Sequence, residues 1–489
     1  MTELLCEMKN LTNRTLTENG AMTLQSTGSS VLDLFGTIGA LRHASDEDIL
    51  IRFIRAYTEN HLLAMKTLFY ARDIRGGLGE RQTFRTILRW LADHEPYTVR
   101  KNLALIPEYG RWDDLLELFG TKCESSAIQM IHKQLDEDFQ HIEKRQNVSL
   151  LGKWLPSVNA HDPEKRHIAL KLMDKLDLRP VDYRKILTRL RSAIDITENY
   201  LREKAYDSID YEKQPSGAML KYQKAFLRND RLNYTDFLQR AAIGEAGINT
   251  GTLMPYELVR KILRGDPSDD ERMALDVTWN ALPDYCDGRN ALTVIDGSGS
   301  MYFSGNPLPA EIALSLGIYF AEHNKGAFHN CFITFSAHPR LVEIKGKDLT
   351  EKVRHCEAYN ECANTNIQRV FELLLNSAVS KAVKQDDMPE TIYIISDMEF
   401  DRCTQDANAA NFEYAEQLFK THGYRLPKLV FWNIQSRHRQ MPVSMNEKGV
   451  LIVSGSSVST FSMVMEQNLN PYEYMLKMLN SERYKAVQA

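Results

Sequence analysis

The chain has 489 residues, of which 43% are hydrophobic and 26% are charged, and its formal net charge at pH 7 is −5. This length exceeds one compact core, so two or three domains are expected, and the composition is that of a globular protein rather than a disordered or fibrous one. The net charge alone argues against a nucleic-acid partner. No stretch approaches the ~20 apolar residues of a membrane span, so no membrane association is expected.

The 7 cysteines are scattered, and no Cys-x-x-Cys pair occurs. The N-terminal segment lacks the basic and apolar regions of a secretory signal. These features predict a cytoplasmic protein with free thiols and without a thiolate zinc site.

Residues 1–30 are rich in Thr, Ser and Asn, which predicts a loosely held arm. From 31 to 264 the apolar spacing is helical, as in the run from Trp112 to Phe119. Proline and glycine turns separate these stretches, so we predict an all-α domain of serial helix pairs. Residues 265–290 predict a connector with one short helix.

The pattern changes at residue 291, where short apolar runs begin to alternate with helical stretches. Such alternation predicts an α/β domain over 291–489 with a mainly parallel, Rossmann-like sheet. The predicted strands are 291–295, 331–335, 341–344, 391–396, 428–433 and 449–453. The predicted helices are 308–322, 367–384, 407–421, 457–466 and 471–480.

Asp296, Ser298 and Ser300 form an Asp-x-Ser-x-Ser run directly after the first predicted strand. Alternate residues of an extended loop point the same way, so one carboxylate and two hydroxyls converge. Neutral oxygens with one or two carboxylates suit Mg²⁺, and the carboxyl ends of strands are where open α/β sheets bind ligands. The alternative is a Ser/Gly turn that caps the following helix.

Two later segments strengthen the metal interpretation. Thr365 precedes a predicted helix and offers a hydroxyl, and Asp397 ends the strand 391–396, followed by Glu399 and Asp401. The set resembles the metal-ion-dependent adhesion site (MIDAS) of von Willebrand factor A (vWA) domains. That resemblance implies that Asp296, Ser298, Ser300, Thr365 and Asp397 bind Mg²⁺, with Mn²⁺ or Ca²⁺ as alternatives, whereas Asp401 has no counterpart in the family motif.

A second resemblance rests on motifs in the helical part. They include Gly-Gly-Leu-Gly-Glu-Arg at 76–81, Gly-Arg-Trp-Asp-Asp-Leu at 110–115 and Gly-Lys-Trp-Leu-Pro-Ser at 152–157. With a vWA domain behind them, these stretches resemble the TROVE module of the Ro family. They look most similar to TROVE-like proteins of plants, bacteria and phages.

The TROVE resemblance implies HEAT-like helix pairs curled into a monomeric ring that is closed by the vWA domain. It also implies a non-catalytic ribonucleoprotein that binds noncoding or misfolded RNA, with an exoribonuclease as a possible protein partner. The alternative function is a scaffold whose vWA metal binds an acidic residue of a partner protein, without RNA. A third, a Mg²⁺-dependent hydrolase, is disfavoured because a single metal held mostly by hydroxyls lacks a general base.

The charge distribution permits RNA binding. Residues 276–489 carry 20 basic and 25 acidic residues, which is the whole −5, whereas 144–231 carries 19 basic and 12 acidic residues. A basic face on repeated helices attracts phosphates. The candidate RNA-binding residues are Lys153, Arg184, Lys185, Arg189, Arg191, Lys221, Lys224, Arg228 and Arg231.

Each candidate has a structural alternative. The basic face is otherwise a solvated surface with interleaved acids. Lys153 and Trp154 are either a loop cation with a stacking ring or part of a turn with a buried tryptophan. Arg75, Arg81 and Arg111 are alternatively expected to pair with Glu80, Asp113 or Asp114 and to join adjacent repeats.

Overall fold

The computed structural model describes residues 8, 11–286, 290–303, 305–359, 366–400, 411–457 and 470–489. The chain divides into two compact units. The sheet unit comprises residues 1–70, 76–78 and 250–485, and the helical unit comprises 71–75, 79–249 and 486–489. This division differs from the predicted boundaries, because the first 70 residues group with the sheet and not with the helices.

The sheet unit begins with a two-stranded antiparallel hairpin followed by three helices. The hairpin pairs Arg14 with Leu24 and Leu16 with Met22. The elements are β1 (Arg14–Leu16), β2 (Met22–Leu24), α1 (Ser30–Phe35), α2 (Asp46–Glu59) and α3 (His61–Arg72). Ser45 caps α2 by accepting a hydrogen bond from Asp48 N, and three acids in the first turn suit the helix dipole.

The predicted loose arm is therefore ordered over its described part. Leu24 exchanges backbone hydrogen bonds with Met441, at 3.1 and 2.8 Å, and Thr23 Oγ1 donates to Met441 O. The Thr23 hydroxyl and the Leu24 backbone, in a segment whose composition predicts solvent exposure, are hydrogen-bonded instead to Met441.

The helical unit contains ten helices in its described residues, and the predicted all-α character of this region is confirmed. They are α4 (Gln82–His94), α5 (Pro96–Lys101), α6 (Leu105–Tyr109), α7 (Glu124–Glu143), α8 (Leu151–Trp154), α9 (Pro163–Lys175), α10 (Pro180–Ala193), α11 (Thr197–Glu203), α12 (Ser216–Asn229) and α13 (Arg231–Ala242). Short 3₁₀ turns add Trp112–Leu118, Tyr206–Ser208 and Tyr211–Lys213.

A buried ion-pair network joins α3, α4 and the 3₁₀ turn Trp112–Leu118. Asp114 Oδ2 lies 2.8 Å from Arg72 Nη2, and its Oδ1 lies 2.7 Å from Arg85 Nε. The sequence suggested Arg75, Arg81 and Arg111 as candidate cations, whereas the structure pairs Asp114 with Arg72 and Arg85, and Arg75 Nη1 donates to Glu108 O.

The remaining elements of the sheet unit form a six-stranded sheet with helices. The strands are β3 (Ala291–Asp296), β4 (Cys331–Phe335), β5 (Leu341–Glu343), β6 (Thr391–Ser396), β7 (Lys428–Asn433) and β8 (Val450–Ser454). The helices are α14 (Pro255–Leu263), α15 (Asp269–Asn280), α16 (Pro309–His323), α17 (Leu349–Glu357), α18 (Ile367–Lys381), α19 (Asn411–Thr421) and α20 (Pro471–Leu479). The predicted helix 457–466 lies almost wholly outside the described residues.

The strand order is β5-β4-β3-β6-β7-β8, and every neighbouring pair is parallel except β4 with β5. This confirms the prediction of a mainly parallel sheet. α16 packs against β3, β4 and β6 and is buried from Pro309 to Ala321. From β3 the chain adds β4 and β5 on one side of the sheet and β6, β7 and β8 on the other, so the strand order reverses between β3 and β6. The carboxyl ends of these two strands therefore flank the position at which α/β sheets bind ligands.

Candidate functional site

Two buried aspartates lie at the carboxyl ends of the neighbouring strands β3 and β6. Asp296 is the last residue of β3 and Asp397 follows β6, and each is 2% exposed. The strands pair in parallel with Ile295 opposite Ile395, so both carboxylates reach the same edge of the sheet. Ser396 Oγ donates a 2.5 Å hydrogen bond to Asp296 Oδ2, which fixes the side chain of Asp296.

The loop after β3 adds two hydroxyls to this edge. Ser298 N donates to Asp296 Oδ1 at 2.8 Å, and the hydroxyl oxygens of Ser298 and Ser300 lie 3.0 Å apart. A 3₁₀ turn, Gly299–Tyr302, holds Ser300 beside Ser298. These oxygens are of the kinds that a hard divalent cation prefers, namely carboxylates and neutral oxygens.

The electrostatics of the edge favour a cation. Burial, with a contribution from the negative charge of Asp397, raises the pKa of Asp296 to about 7. Two carboxylates buried side by side repel each other, and a positive ion between them would remove that cost. The residues present therefore fit Mg²⁺ or a similar ion. Thr365, the remaining predicted ligand, and Asp401 lie outside the described residues.

Sequence reasoning missed the cation that the structure places at this edge, Arg437. Its Nη2 lies 3.0 Å from Asp397 Oδ2, and its Nη1 lies 2.8 Å from Glu18 Oε2. Arg437 follows β7, the strand next to β6. The basic run Arg437-His438-Arg439 directly after a predicted strand was the available signal.

The tip of the N-terminal hairpin is held against the segment that follows Asp397. Thr17 Oγ1 donates to Phe400 O at 2.6 Å, Glu18 N donates to Glu399 Oε2 at 2.9 Å, and Asn19 Nδ2 donates to Glu399 O at 2.7 Å. Burial raises the pKa of Glu399. The hairpin therefore brings a carboxylate, Glu18, to the edge that carries Asp397.

Glu18, Glu399 and His438 place possible ligand atoms within 4.8 Å of one another. Both carboxylate oxygens of Glu399 already accept hydrogen bonds, from Glu18 N and from Gln440 Nε2. The docking of the hairpin therefore explains why these three side chains lie close together.

The predicted RNA-binding residues lie in the helical unit, and one group of them shares a helix face. Lys221, Lys224 and Arg228 are exposed on α12, whereas Met219 and Phe226 on the same helix are buried. Arg231 is exposed at the start of α13. The spacing of three and four residues thus places three cations in a row on the surface.

The candidates on α10 divide into two kinds. Arg184, Lys185 and Arg189 are exposed, and the Arg189 guanidinium lies 5.2 Å from the centre of the Phe139 ring. Arg191 instead donates to Gly152 O and Leu155 O, at 2.9 and 2.8 Å, and burial lowers its pKa. These two bonds tie α10 to α8 and to the residue that follows it.

Trp154 is half-buried and has a cation on its ring. The Arg111 guanidinium lies 4.5 Å from the ring centre and Lys153 Nζ lies 5.8 Å from it. Lys153 Nζ is also 3.5 Å from Glu198 Oε2, and Glu198 Oε1 accepts a hydrogen bond from Tyr222 Oη. The structure therefore links the Lys153–Trp154 turn to α12, where Lys221 Nζ donates to Tyr222 Oη.

A cavity of about 480 Å³ opens beside Trp154 in the helical unit. Its lining combines the tryptophan with six cationic and four acidic side chains. These side chains are Arg81, Arg85, Arg89, Asp113, Glu117, Lys153, Trp154, Asp162, Glu164, Lys165 and Arg191.

Within the described residues, no helix combines the length and apolarity that a membrane crossing requires.

Comparison with known proteins gives a family. The family model described as "Domain of unknown function (DUF2828)" matches residues 17–132 and 125–285, which is more than half of the chain. The chain belongs to the DUF2828 family. A second model, "Domain of unknown function (DUF7788)", matches residues 290–486 of this DUF2828 protein.

One relative of this DUF2828 protein is "Uncharacterized protein L728" of Acanthamoeba polyphaga mimivirus. It is 31% identical over an alignment of 510 positions, which covers 96% of this chain and 88% of the relative. A crystal structure of the Ro (RSR) protein of Deinococcus radiodurans aligns with 96% of both chains at 12% identity and a TM-score of 0.38. A TM-score of this size does not establish a shared fold.

Proposed function

We propose that this protein is a non-catalytic RNA-binding protein whose helical unit binds RNA through basic helices. The observation that carries the proposal is the exposed row of Lys221, Lys224 and Arg228 on α12. Three cations on one helix face meet successive backbone phosphates and release the counterions that surround them, which drives RNA binding.

Aromatic side chains next to this row support RNA over a simple anion. Tyr222 lies on α12 between the cations, and its hydroxyl connects through Glu198 to Lys153 beside Trp154. Rings beside cations are the usual combination for single-stranded nucleic acid, because bases stack on the rings while cations hold the phosphates. The TROVE-like stretch at 110–115 lies in the same unit.

The experiment is fluorescence anisotropy of labelled structured and single-stranded RNA with the purified full-length protein, across a range of salt concentrations. We expect the triple variant Lys221→Gln, Lys224→Gln, Arg228→Gln to bind more weakly. Loss of three phosphate contacts should also make the plot of log binding constant against log salt concentration less steep, by about 2 in slope.

A matched control removes three exposed cations that lie on other elements of the same unit, each paired with a carboxylate. These are Lys133, Arg202 and Lys213, which pair with Glu137, Glu203 and Asp210. The proposal fails if the wild type binds neither kind of RNA, or if the control triple weakens binding as much as the α12 triple.

We also propose that the edge formed by Asp296, Ser298, Ser300 and Asp397 binds Mg²⁺, with Thr365 as the further ligand that the vWA resemblance implies. The converging hydroxyls and the raised pKa of Asp296 support this assignment. Such an ion would neutralise the two buried carboxylates and leave a coordination position for an oxygen ligand.

The same edge favours a second function, a metal-dependent scaffold in which a partner protein supplies an acidic side chain to the ion. This function predicts a protein complex that forms with Mg²⁺ and is lost on Asp296→Ala. Pull-down with wild type and variant, with and without EDTA, tests it. An identical set of partners in all four samples would exclude it.

A further inference from the structure

One guanidinium connects the N-terminal hairpin to the candidate metal edge. Arg437 makes ion pairs with Asp397 and with Glu18, and its side chain is 29% exposed. The side chain of Asp397 is 1% exposed, whereas that of Glu18 is 50% exposed. The same positive charge therefore serves one buried carboxylate and one that faces solvent.

A metal ion and Arg437 would compete for the same carboxylate. Asp397 Oδ2 is 3.0 Å from the guanidinium, so a divalent cation bound at Asp397 would face a like charge at short range. Repulsion between two cations at such distances is strong near a buried site. Metal binding is accordingly easiest when Arg437 leaves Asp397 and keeps Glu18 as its partner.

We propose that Arg437 is a positioning residue of the metal edge that shares its charge between Asp397 and Glu18. Cation binding at the strand ends and docking of the N-terminal hairpin are thereby coupled. The inference rests on the proposed metal site and adds its regulation by the chain's own N-terminal segment.

Glu18 is well placed to receive the guanidinium because the hairpin tip is held independently of Arg437. Glu18 N and Asn19 Nδ2 donate to Glu399, and Thr17 Oγ1 donates to Phe400 O. These bonds keep the carboxylate of Glu18 near Arg437, and the ion pair between Arg437 and Glu18 adds to the docking of the hairpin.

Calorimetric titration of the full chain with Mn²⁺ tests the coupling. We expect Arg437→Gln to bind Mn²⁺ about tenfold more tightly, since the competing charge is gone. Glu18→Gln should weaken binding about fivefold, since Arg437 then has only Asp397. In the double variant the effect of Glu18→Gln should fall below about twofold, because Glu18 acts through Arg437.

Arg439→Gln is the matched control. Arg439 lies two residues further along and pairs with Asp48, at 2.7 Å, instead of Asp397. It removes the same charge from the same segment and should change Mn²⁺ affinity by less than about twofold, because the charge lies outside the metal edge.

Hydrogen exchange gives a second measurement. Mn²⁺ should change the exchange rates of the amides of Glu18 and Ala21 in the wild type, and should leave them unchanged in Arg437→Gln. If the wild type binds Mn²⁺ but Arg437→Gln and Arg439→Gln behave alike, the role of Arg437 is refuted and the metal site stands. If the wild type binds no Mn²⁺, the metal site is refuted together with the coupling.

Discussion

Arg72 and Asp114 form an ion pair that is closed to solvent in the helical unit. Their Nη2 and Oδ2 atoms are 2.8 Å apart, and the side chains are 1% and 0% exposed. Arg85 contacts the other carboxylate oxygen of Asp114. Removing Asp114 would leave the buried Arg72 guanidinium as an uncompensated charge in a medium of low dielectric.

We therefore expect Asp114→Ala to lower the free energy of unfolding of the helical unit by about 3–5 kcal/mol. Urea denaturation followed by circular dichroism measures the change. Arg89→Ala is the control, because Arg89 pairs with Glu117 but is 60% exposed, and it should cost less than about 1 kcal/mol. Equal losses in the two variants would contradict the buried network.

Gly317 lets α16 lie close to β3. A Cβ at this position would stand 2.0 Å from Ile295 Cδ1 and 2.5 Å from Ile295 Cγ1, two atoms of a fully packed residue. Gly317→Ala should destabilise the sheet unit by about 1–3 kcal/mol, as overpacking does. Thermal unfolding measures the loss, and Ile295→Val in the same chain should restore part of it.

The control for this prediction is Gly217→Ala. Gly217 lies in α12, and a Cβ there would meet nothing within 4 Å. This substitution should stabilise the protein by up to about 1 kcal/mol, because alanine loses less backbone entropy than glycine in a helix. Destabilisation at both glycines would argue against the packing explanation.

Glu257 predicts a pH dependence of stability. Its carboxylate accepts a hydrogen bond from Met254 N at the start of α14, and burial raises its pKa above the ordinary value of 4.5. A carboxyl that ionises less readily in the folded state makes folding less favourable as the pH rises above 4.5 towards the folded pKa.

Glu257→Gln should abolish this component. As the pH rises from 4.5 to the folded pKa of Glu257, the wild type should lose this stability while the variant does not. The unfolding free energy of the variant minus that of the wild type should therefore increase over this range and then stay constant. Denaturation at several pH values measures the difference. A difference that falls with rising pH would reverse the assigned sign.

Asp296→Ala should abolish Mn²⁺ binding while leaving the helical unit folded. Asp296 is part of the proposed ligand set, and the helical unit contains none of the described ligands. Calorimetry measures the binding, and far-ultraviolet circular dichroism measures the helix content. The control is Asp387→Ala, which removes an exposed aspartate of the sheet unit, and this variant should bind Mn²⁺ as the wild type does. Unchanged affinity in Asp296→Ala would refute the site assignment.

The parts of the fold that depend on local pattern could be predicted from the sequence. Strands 331–335, 391–396 and 428–433 have the predicted bounds because each is a buried run of β-favouring residues. The convergence of Asp296 and Asp397 also followed, since neighbouring parallel strands end at one edge.

Features set by distant contacts could not be predicted in this way. The hairpin at Arg14–Leu24 has only three residues in each strand, and its partners lie near residues 399 and 441. Likewise, Asp114 pairs with Arg72 and Arg85 because three separate elements pack together. The spacing of residues along a single helix does not reveal such a pairing.

The bridge between Leu24 and Met441 has a consequence for synthesis on the ribosome. Thr23 and its partner Met441 are 418 residues apart, a distance that takes roughly 20–80 s to translate. Residues 79–249, which make up most of the helical unit, are synthesised during that interval, before the sheet that the first 70 residues contact has been made. A fragment starting at residue 265 would therefore lack the N-terminal residues that hydrogen-bond to Glu399, Phe400 and Met441.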